Sequence, residues 1–513
     1  MNVNKALFLA LLIVLPIHAL HFLIQGVPFS TDVWPLIHAS EKLVENPRVK
    51  IWIDKEFDGY NNHWPGVILS AAMVSMVTGL SIEVVYSLCL TTILCLAVST
   101  LLYSYVSRFD HEYAWISVLV FCCVPSLTIF TSTTLKEVYC YPIVFTILLL
   151  PLISSIRRAL VLVPLLSVAA SLSHHLATLV AIASALNIGV LAIRDDVLGR
   201  GKFLNLGVKH LVIGMIMLSV FTVYYLVYGC IGFRVTILLN DLITLVLYAI
   251  AIHTILTLVS IRRTNSMDSI RVTALLAAIV LLLLSIKLNI VYGLRIPELN
   301  ALAPYALPIV LLLIPRIRYV TFLARGITAT VIIFASFATF AKPVLSNALH
   351  RILNYLAYSF STTIYDVRST SRKILVYTVL TLCILTTISI QLSIDLGLDK
   401  ISFYWLYTKE DVALSNVLRN FVDSNVEVLG GAKLEYVLIP FIRVGITNTI
   451  KSLLHGKLEE NEVLLLSRQS VEKGLVIGLN TYETPSWRTL DRECSLIVSS
   501  SNWHGYVGAC IWS

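Results

Sequence analysis

Residues 65–80 read PGVILSAAMVSMVTGL, and the path of this one stretch orients every segment after it. Pro65 and Gly66 open it and Gly79 interrupts its end, leaving about 16 apolar residues where a membrane-spanning helix needs roughly 20. The surrounding chain of 513 residues is 57% hydrophobic and 13% charged, about half the charge of a typical soluble domain. It is therefore a polytopic membrane protein. Candidate spans lie near 5–25, 83–106, 113–131, 140–156, 159–173, 176–193, 208–231, 237–260, 271–289, 299–315, 319–341 and 373–395. That is twelve, or thirteen with 65–80 counted.

Lys and Arg resist translocation and mark cytoplasmic loops. If the N-terminus is inside and 65–80 does not cross, twelve of the Lys and Arg in loops and span ends from 106 to 318 fall inside. Four, Lys136, Arg234, Lys287 and Arg295, fall outside. If it crosses, the count inverts. The sequence thus predicts a re-entrant or interfacial helix over 65–80. The first segment, Ala6 to Ile24, reads as an uncleaved first helix, being too long for a signal-peptide core.

Two regions follow: a membrane domain over 1–395, with an external loop at 26–64, and a smaller soluble domain over 396–513. The soluble domain reads as mixed α and β. Thr408 and Asp411 have capping-box spacing before the run Val412 to Phe421. Val426 to Leu429, Val463 to Leu466 and Leu496 to Val498 read as strands, and Gly430-Gly431 as a turn. The stretch 342–372, with Lys342, His350, Arg351 and many tyrosines, reads equally as an interfacial helix or a poor span. Its path sets the side of the soluble domain. Cys494 and Cys510, the two cysteines of that domain, could pair outside the cell and favour the external side.

The +8 net charge sits at helix ends, where topology and anionic headgroups account for it. With no basic stripe interleaved with aromatics, nucleic acid is not an expected partner. No Walker motif, Gly-rich phosphate loop, G-x-S-x-G or zinc spacing is present.

The second set of polar interruptions carries the chemistry. Asp32, in Ser30-Thr31-Asp32-Val33-Trp34, is a candidate general base for an acceptor hydroxyl. Asp54, Glu56 and Asp58 alternate and would point one way in extended chain, a spacing that could hold a divalent cation. Lys136-Glu137 follows the Thr/Ser-rich run Thr131 to Thr134, and charges so close to hydrocarbon are paired or functional. His174-His175 joins two apolar helices almost without a loop, as a tight turn or as an acid/base pair. Arg295 and Glu298 flank Pro297, and an Arg suits a phosphate. Each of these also has a bland reading as a solvated loop, a structural ion pair or a turn. Their shared face, fixed by basic-residue counting alone, is the specific signal.

On these residues the chain resembles the GT-C superfamily, membrane glycosyltransferases that use polyprenyl-phosphate-linked sugars. Such enzymes place a catalytic Asp early in the long external loop after the first helix, where Asp32 stands. They resume at a Pro-containing helix start, similar to Trp64-Pro65-Gly66, carry a later polar cluster, similar to Lys136-Glu137, and often end in an extracytoplasmic domain, similar to 396–513. The chain departs from two subfamilies: Asp32 is followed by Val33, not an acid, and Trp503-His504-Gly505-Tyr506 only echoes the W-W-D motif. The resemblance implies an all-α, GT-C-like polytopic domain with a small C-terminal α/β domain, in the cell membrane, with its site on the extracytoplasmic side. It implies an inverting transfer from a polyprenyl-phosphate sugar to a glycan, lipid or protein acceptor. Asp32 would act as base; Arg295, with Lys136 or His174/His175, would hold the departing phosphate. No cofactor is certain and a divalent cation stays open. The rival readings are a transporter or flippase for an anionic lipid-linked solute, and a non-catalytic scaffold.

Overall fold

The computed structural model describes residues 3–53, 57–153, 156–234, 238–261, 303–342, 349–399, 402, 405–421, 426–438, 444–459, 461–477, 480–499, 503–507 and 510–511. Among them seven helices are long and apolar enough to cross a membrane, and the protein is a multi-pass membrane protein. Of the expected spans, 271–289 and the start of 299–315 lie outside the described residues.

The chain runs α1 (Val3–Gln25), α2 (Trp34–Glu45), α3 (Gly66–Thr78), α4 (Ile82–Val106), α5 (Trp115–Phe121) and α6 (Pro125–Phe130). It continues with α7 (Lys136–Ile153), α8 (Ile156–Ser173), α9 (His175–Val197), α10 (Leu204–Gly232) and α11 (Leu239–Ile261). After α12 (Ala303–Leu311) come α13 (Phe322–Ala341), α14 (Leu349–Ser361) and α15 (Thr370–Asp395). The span expected at 113–131 is broken into α5 and α6. Pro125 opens α6, and Val124 before it is extended, as the residue preceding a proline prefers.

Two faces are defined by the ends of these helices. With 23 residues, α9 reaches about 34 Å at 1.5 Å per residue. It starts beside Trp64 and ends at Asp195, where Arg325 Nη1 and Arg194 Nη2 each lie 2.7 Å away. α3 begins against Ser173, at the end of α8. The chain beyond α3 is already back at Tyr86, whose hydroxyl meets Ser40 of α2 at 3.0 Å and whose carbonyl accepts from Thr134 N. Both ends of α3 therefore lie on the Asp32 face, and the helix does not cross.

α14 does cross. Arg351 in its first turn pairs with Asp32. Past its last turn, β2 (Thr363–Tyr365) pairs antiparallel with β1 (Ile317–Val320), just before α13 on the far face. The helix is buried along nearly its whole length: it is surrounded by protein rather than lipid, so the hydropathy rule for a span does not apply to it. α15 then returns, and Asp395 at its end meets His21 Nδ1 at 2.9 Å near the end of α1. The C-terminal region thus emerges on the Asp32 face.

That region holds α16 (Lys409–Phe421), α17 (Ala432–Leu438), α18 (Ile446–His455), α19 (Arg468–Lys473) and α20 (Trp487–Glu493). Its main sheet has the order β3 (Glu427–Leu429), β5 (Glu462–Ser467), β9 (Trp503–Val507), β8 (Ser495–Ser499); β3 and β5 are parallel and the other pairs antiparallel. The remaining strands, β4 (Lys457–Leu458), β6 (Leu475–Ile477), β7 (Asn480–Tyr482) and β10 (Cys510–Ile511), form two small ribbons. The expected capping box at α16 is present: Thr408 N donates to Asp411 Oδ2 at 2.6 Å and Asp411 N to Thr408 Oγ1 at 3.4 Å. Cys494 is disulfide-bonded.

Candidate active site

Asp32 stands in a single 3-10 turn, Thr31–Val33, between α1 and α2. Ser30 before it has φ 88° and ψ 136°, a region that L side chains rarely adopt. Among the described residues it is the one non-glycine with positive φ. Two hydrogen bonds hold it there: Ser30 N donates to the Trp405 carbonyl at 2.8 Å, and its hydroxyl accepts from Asp32 N at 3.3 Å. Trp34 is buried and packs on Tyr407, ring centroids 5.2 Å apart. The turn is thereby fixed by both the first helices and the C-terminal region.

Arg351 Nη2 lies 2.5 Å from Asp32 Oδ2, and its guanidinium stands over the Phe130 ring at 5.5 Å. Behind it is Glu137, fully buried, whose Oε1 accepts from Tyr355 at 3.0 Å and from Tyr141 at 3.3 Å. Arg351, Asn354, Tyr355 and Tyr358 follow the spacing that shares one helical face. Lys136 is buried under aromatic rings, Nζ 4.0 Å from the Tyr60 centroid and 5.4 Å from that of Trp64. An ammonium is attracted to a ring face, but the rings leave its three N–H donors unmatched. Lys136 Nζ, Glu137 Oε2 and both amide atoms of Asn354 are buried with no hydrogen-bond partner among the described residues. Buried polar atoms of that kind are costly unless a ligand or water completes them.

The other expected residues divide. His174 is the N-cap of α9, its Nδ1 accepting from Ala177 N at 3.2 Å; that is a structural use of the ring. His175 lies between Trp64 and Phe233, centroids 4.9 and 4.8 Å away. Lys136 and Arg351 are close enough to both histidines to act on them electrostatically. Asp58 accepts from Tyr60 N at 2.9 Å and Asn61 N at 2.6 Å, which folds its own loop. Arg295, Glu298, Asp54 and Glu56 lie outside the described residues. Among the described residues no group of three His, Cys, Asp or Glu is placed to hold a metal ion, and Asp58 is turned to backbone donors. The residues on view do not assemble a cation site.

Arg351 is the residue that sequence reasoning passed over. Its signal was the i, i+3, i+4, i+7 stripe of polar and aromatic residues from Arg351 to Tyr358. Burial pushes the Tyr60 hydroxyl up to about 12, with the Asp32 and Asp58 charges adding to it and Arg351 opposing. Tyr60 is therefore a neutral donor at any physiological pH.

Among solved structures, the chain is similar to ArnT from Cupriavidus metallidurans in the apo state, at 12% identity and a TM-score of 0.41, over 99% of this chain and 98% of that one. It is likewise similar to ArnT of that organism bound to undecaprenyl phosphate, at 13% identity and a TM-score of 0.38, over 98% and 97%. No family model and no curated protein matches the sequence. Likeness at that distance leaves function to be read from this chain's own side chains.

Proposed function

We propose that this protein is a membrane glycosyltransferase that moves a sugar from a polyprenyl-phosphate donor to an acceptor on the Asp32 face, which is the extracytoplasmic one. One observation carries the reading. A carboxylate, Asp32, is paired with a guanidinium, Arg351, beside a buried ammonium, Lys136, that has no hydrogen-bond acceptor among the described residues. An anion with several oxygens satisfies both cations. The site sits where membrane helices end, so a lipid-borne phosphate reaches it from the bilayer. The disulfide at Cys494 fits an oxidising compartment.

Arg351 takes the role first expected of Arg295. When the donor phosphate enters, Arg351 and Lys136 bind it and Asp32 is released from its partner. The freed carboxylate removes the acceptor hydroxyl proton. The acceptor oxygen attacks the anomeric carbon from the face opposite the phosphate, the carbon–oxygen bond to phosphate breaks, and configuration inverts. The charge gathering on the departing phosphate falls on the two cations, fixed in place before the reaction. Glu137, hydrogen-bonded by Tyr141 and Tyr355, orients the face of α14 that presents Arg351.

Binding tests this before chemistry does. Purified protein in nanodiscs is titrated with polyprenyl phosphate, following the fluorescence of Trp64 against a Trp64→Phe control. Saturable quenching that weakens about tenfold or more in Lys136→Met, the scale of one charge-assisted hydrogen bond, supports the reading. Absence of binding, or equal binding by Lys136→Met, overturns it.

A further inference from the structure

We infer that the acceptor is a saccharide, held over Asp32 by Tyr436 and Glu435 of α17 and by Tyr60 across from them; this rests on the transfer reading above. α17 packs against the Asp32 turn and against α2. It is fixed from two sides. His38 Nε2 on α2 donates to the Val437 carbonyl at 3.0 Å. Tyr407 donates to the Lys433 carbonyl at 2.7 Å, and Lys433 Nζ lies 2.8 Å from Asp411. Asp411 is itself buried and accepts from Trp503 Nε1 of β9 at 2.5 Å. The C-terminal sheet therefore holds α17 as a wall of the site.

The polar groups at this wall and across from it have no hydrogen-bond partner among the described residues. Tyr436 and Tyr60 each lie within electrostatic reach of Asp32 and Arg351, and Tyr436 within reach of Tyr60. Tyr60 is 36% exposed, and Tyr436 and Glu435 are half-buried. The Glu435 carboxylate and the hydroxyls of Tyr436 and Tyr60 make no hydrogen bond to another described residue. Two phenols near the base, with Glu435 beside Tyr436, thus offer hydrogen-bonding groups that are unmatched among the described residues, while Lys136 covers one face of the Tyr60 ring.

A sugar ring matches this set. Its hydroxyls both donate and accept, so a carboxylate and two phenols can all be satisfied, and its C–H faces pack on rings. A lipid alcohol would bring an apolar tail to a place walled by Tyr436, Glu435 and Asp58. A cationic acceptor would meet Arg351 and Lys136 beneath it. Burial holds the Glu435 carboxyl above its ordinary range, which further suits a neutral polyol.

The test reads binding without donor, so the subsite and the transfer reading can fail separately. Full-length protein in nanodiscs is screened on a printed glycan array, and the strongest glycan is titrated by tryptophan fluorescence. Tyr436→Ala is expected to weaken that glycan about tenfold, through one stacking contact and one hydrogen bond. Glu435→Gln should weaken it several-fold, and Tyr436→Phe, which keeps the ring and the fold, less than Tyr436→Ala. No glycan retained, or equal binding by Tyr436→Ala and Glu435→Gln, overturns the proposal. So does capture of a peptide or a lipid alcohol with the same Tyr436 dependence. Glycan binding by a protein that never releases polyprenyl phosphate would leave the subsite standing and remove the transfer reading.

Discussion

Replacing Arg351 by Met removes the charge that both restrains Asp32 and would receive the phosphate. Two costs can be separated. For stability, the pair is close, 2.5 Å, but its side chains are 30% and 38% exposed. At an effective dielectric near 20, two charges about 4 Å apart attract by about 4 kcal/mol; solvent at such exposure reduces the net worth toward about 1 kcal/mol. Met also keeps most of the Arg stem, so the protein should fold and melt within a few degrees of wild type. For catalysis, removing one preorganised donor to a developing charge costs about 2.7–4 kcal/mol, or about 10²–10³ in rate. The variant should therefore be folded yet transfer sugar about 10²–10³-fold more slowly, measured as kcat/KM with a polyprenyl-phosphate sugar. Adding Asp32→Asn should cost little more than the larger single change, because residues acting as one unit are not additive. Transfer by Arg351→Met within threefold of wild type, or strictly additive losses in the double variant, would refute the partner exchange.

Other consequences follow from the geometry. Ser30→Gly should relieve the strained φ and raise thermal stability by about 1 kcal/mol or less, while slowing transfer because Asp32 N loses its acceptor; faster transfer would contradict a positioning role for Ser30. At Gly326 an added Cβ would stand 2.2 Å from Ile188 Cγ1 and 3.2 Å from its backbone N; Gly326→Val should cost about 1–3 kcal/mol by overpacking, read as a lower melting temperature in detergent. Asp195→Asn leaves Arg194 and Arg325 without their carboxylate and should destabilise by about 3 kcal/mol; an unchanged melt would show the cluster to be solvated. Single cysteines at 52 and 200 should label from opposite sides of the membrane, and labelling of both from one side would overturn the path of α3.

That α3 turns back was legible because it depends on two coarse quantities, the length of 65–80 and the distribution of Lys and Arg. Both survive ignorance of packing. The path of α14 stayed open between two readings, since a hydropathy rule presumes lipid contact and residues 351–361 are largely sheathed in protein. The same cause hid Arg351: on a stretch that reads either as an interfacial helix or as a poor span, an arginine reads as surface charge. His174 was ambiguous for another reason, because an N-cap and a catalytic histidine share a residue type and only the bond from Ala177 N separates them. Trp503-His504-Gly505-Tyr506 was weighed as a motif, whereas in the fold it is the strand between β5 and β8. The β1–β2 pair, only a few residues long, left no periodic trace to read.

The central claim is tested most directly by the fate of the lipid. Purified protein in liposomes is offered a radiolabelled polyprenyl-phosphate sugar with a glycan acceptor, and free polyprenyl phosphate is measured alongside transbilayer movement of the donor. Wild type should release polyprenyl phosphate in step with glycan product, and Asp32→Asn should reduce both by about 10²–10⁴, the contribution of a general base, while remaining folded. Movement of the intact lipid with no release of polyprenyl phosphate, or undiminished transfer by Asp32→Asn, would contradict it.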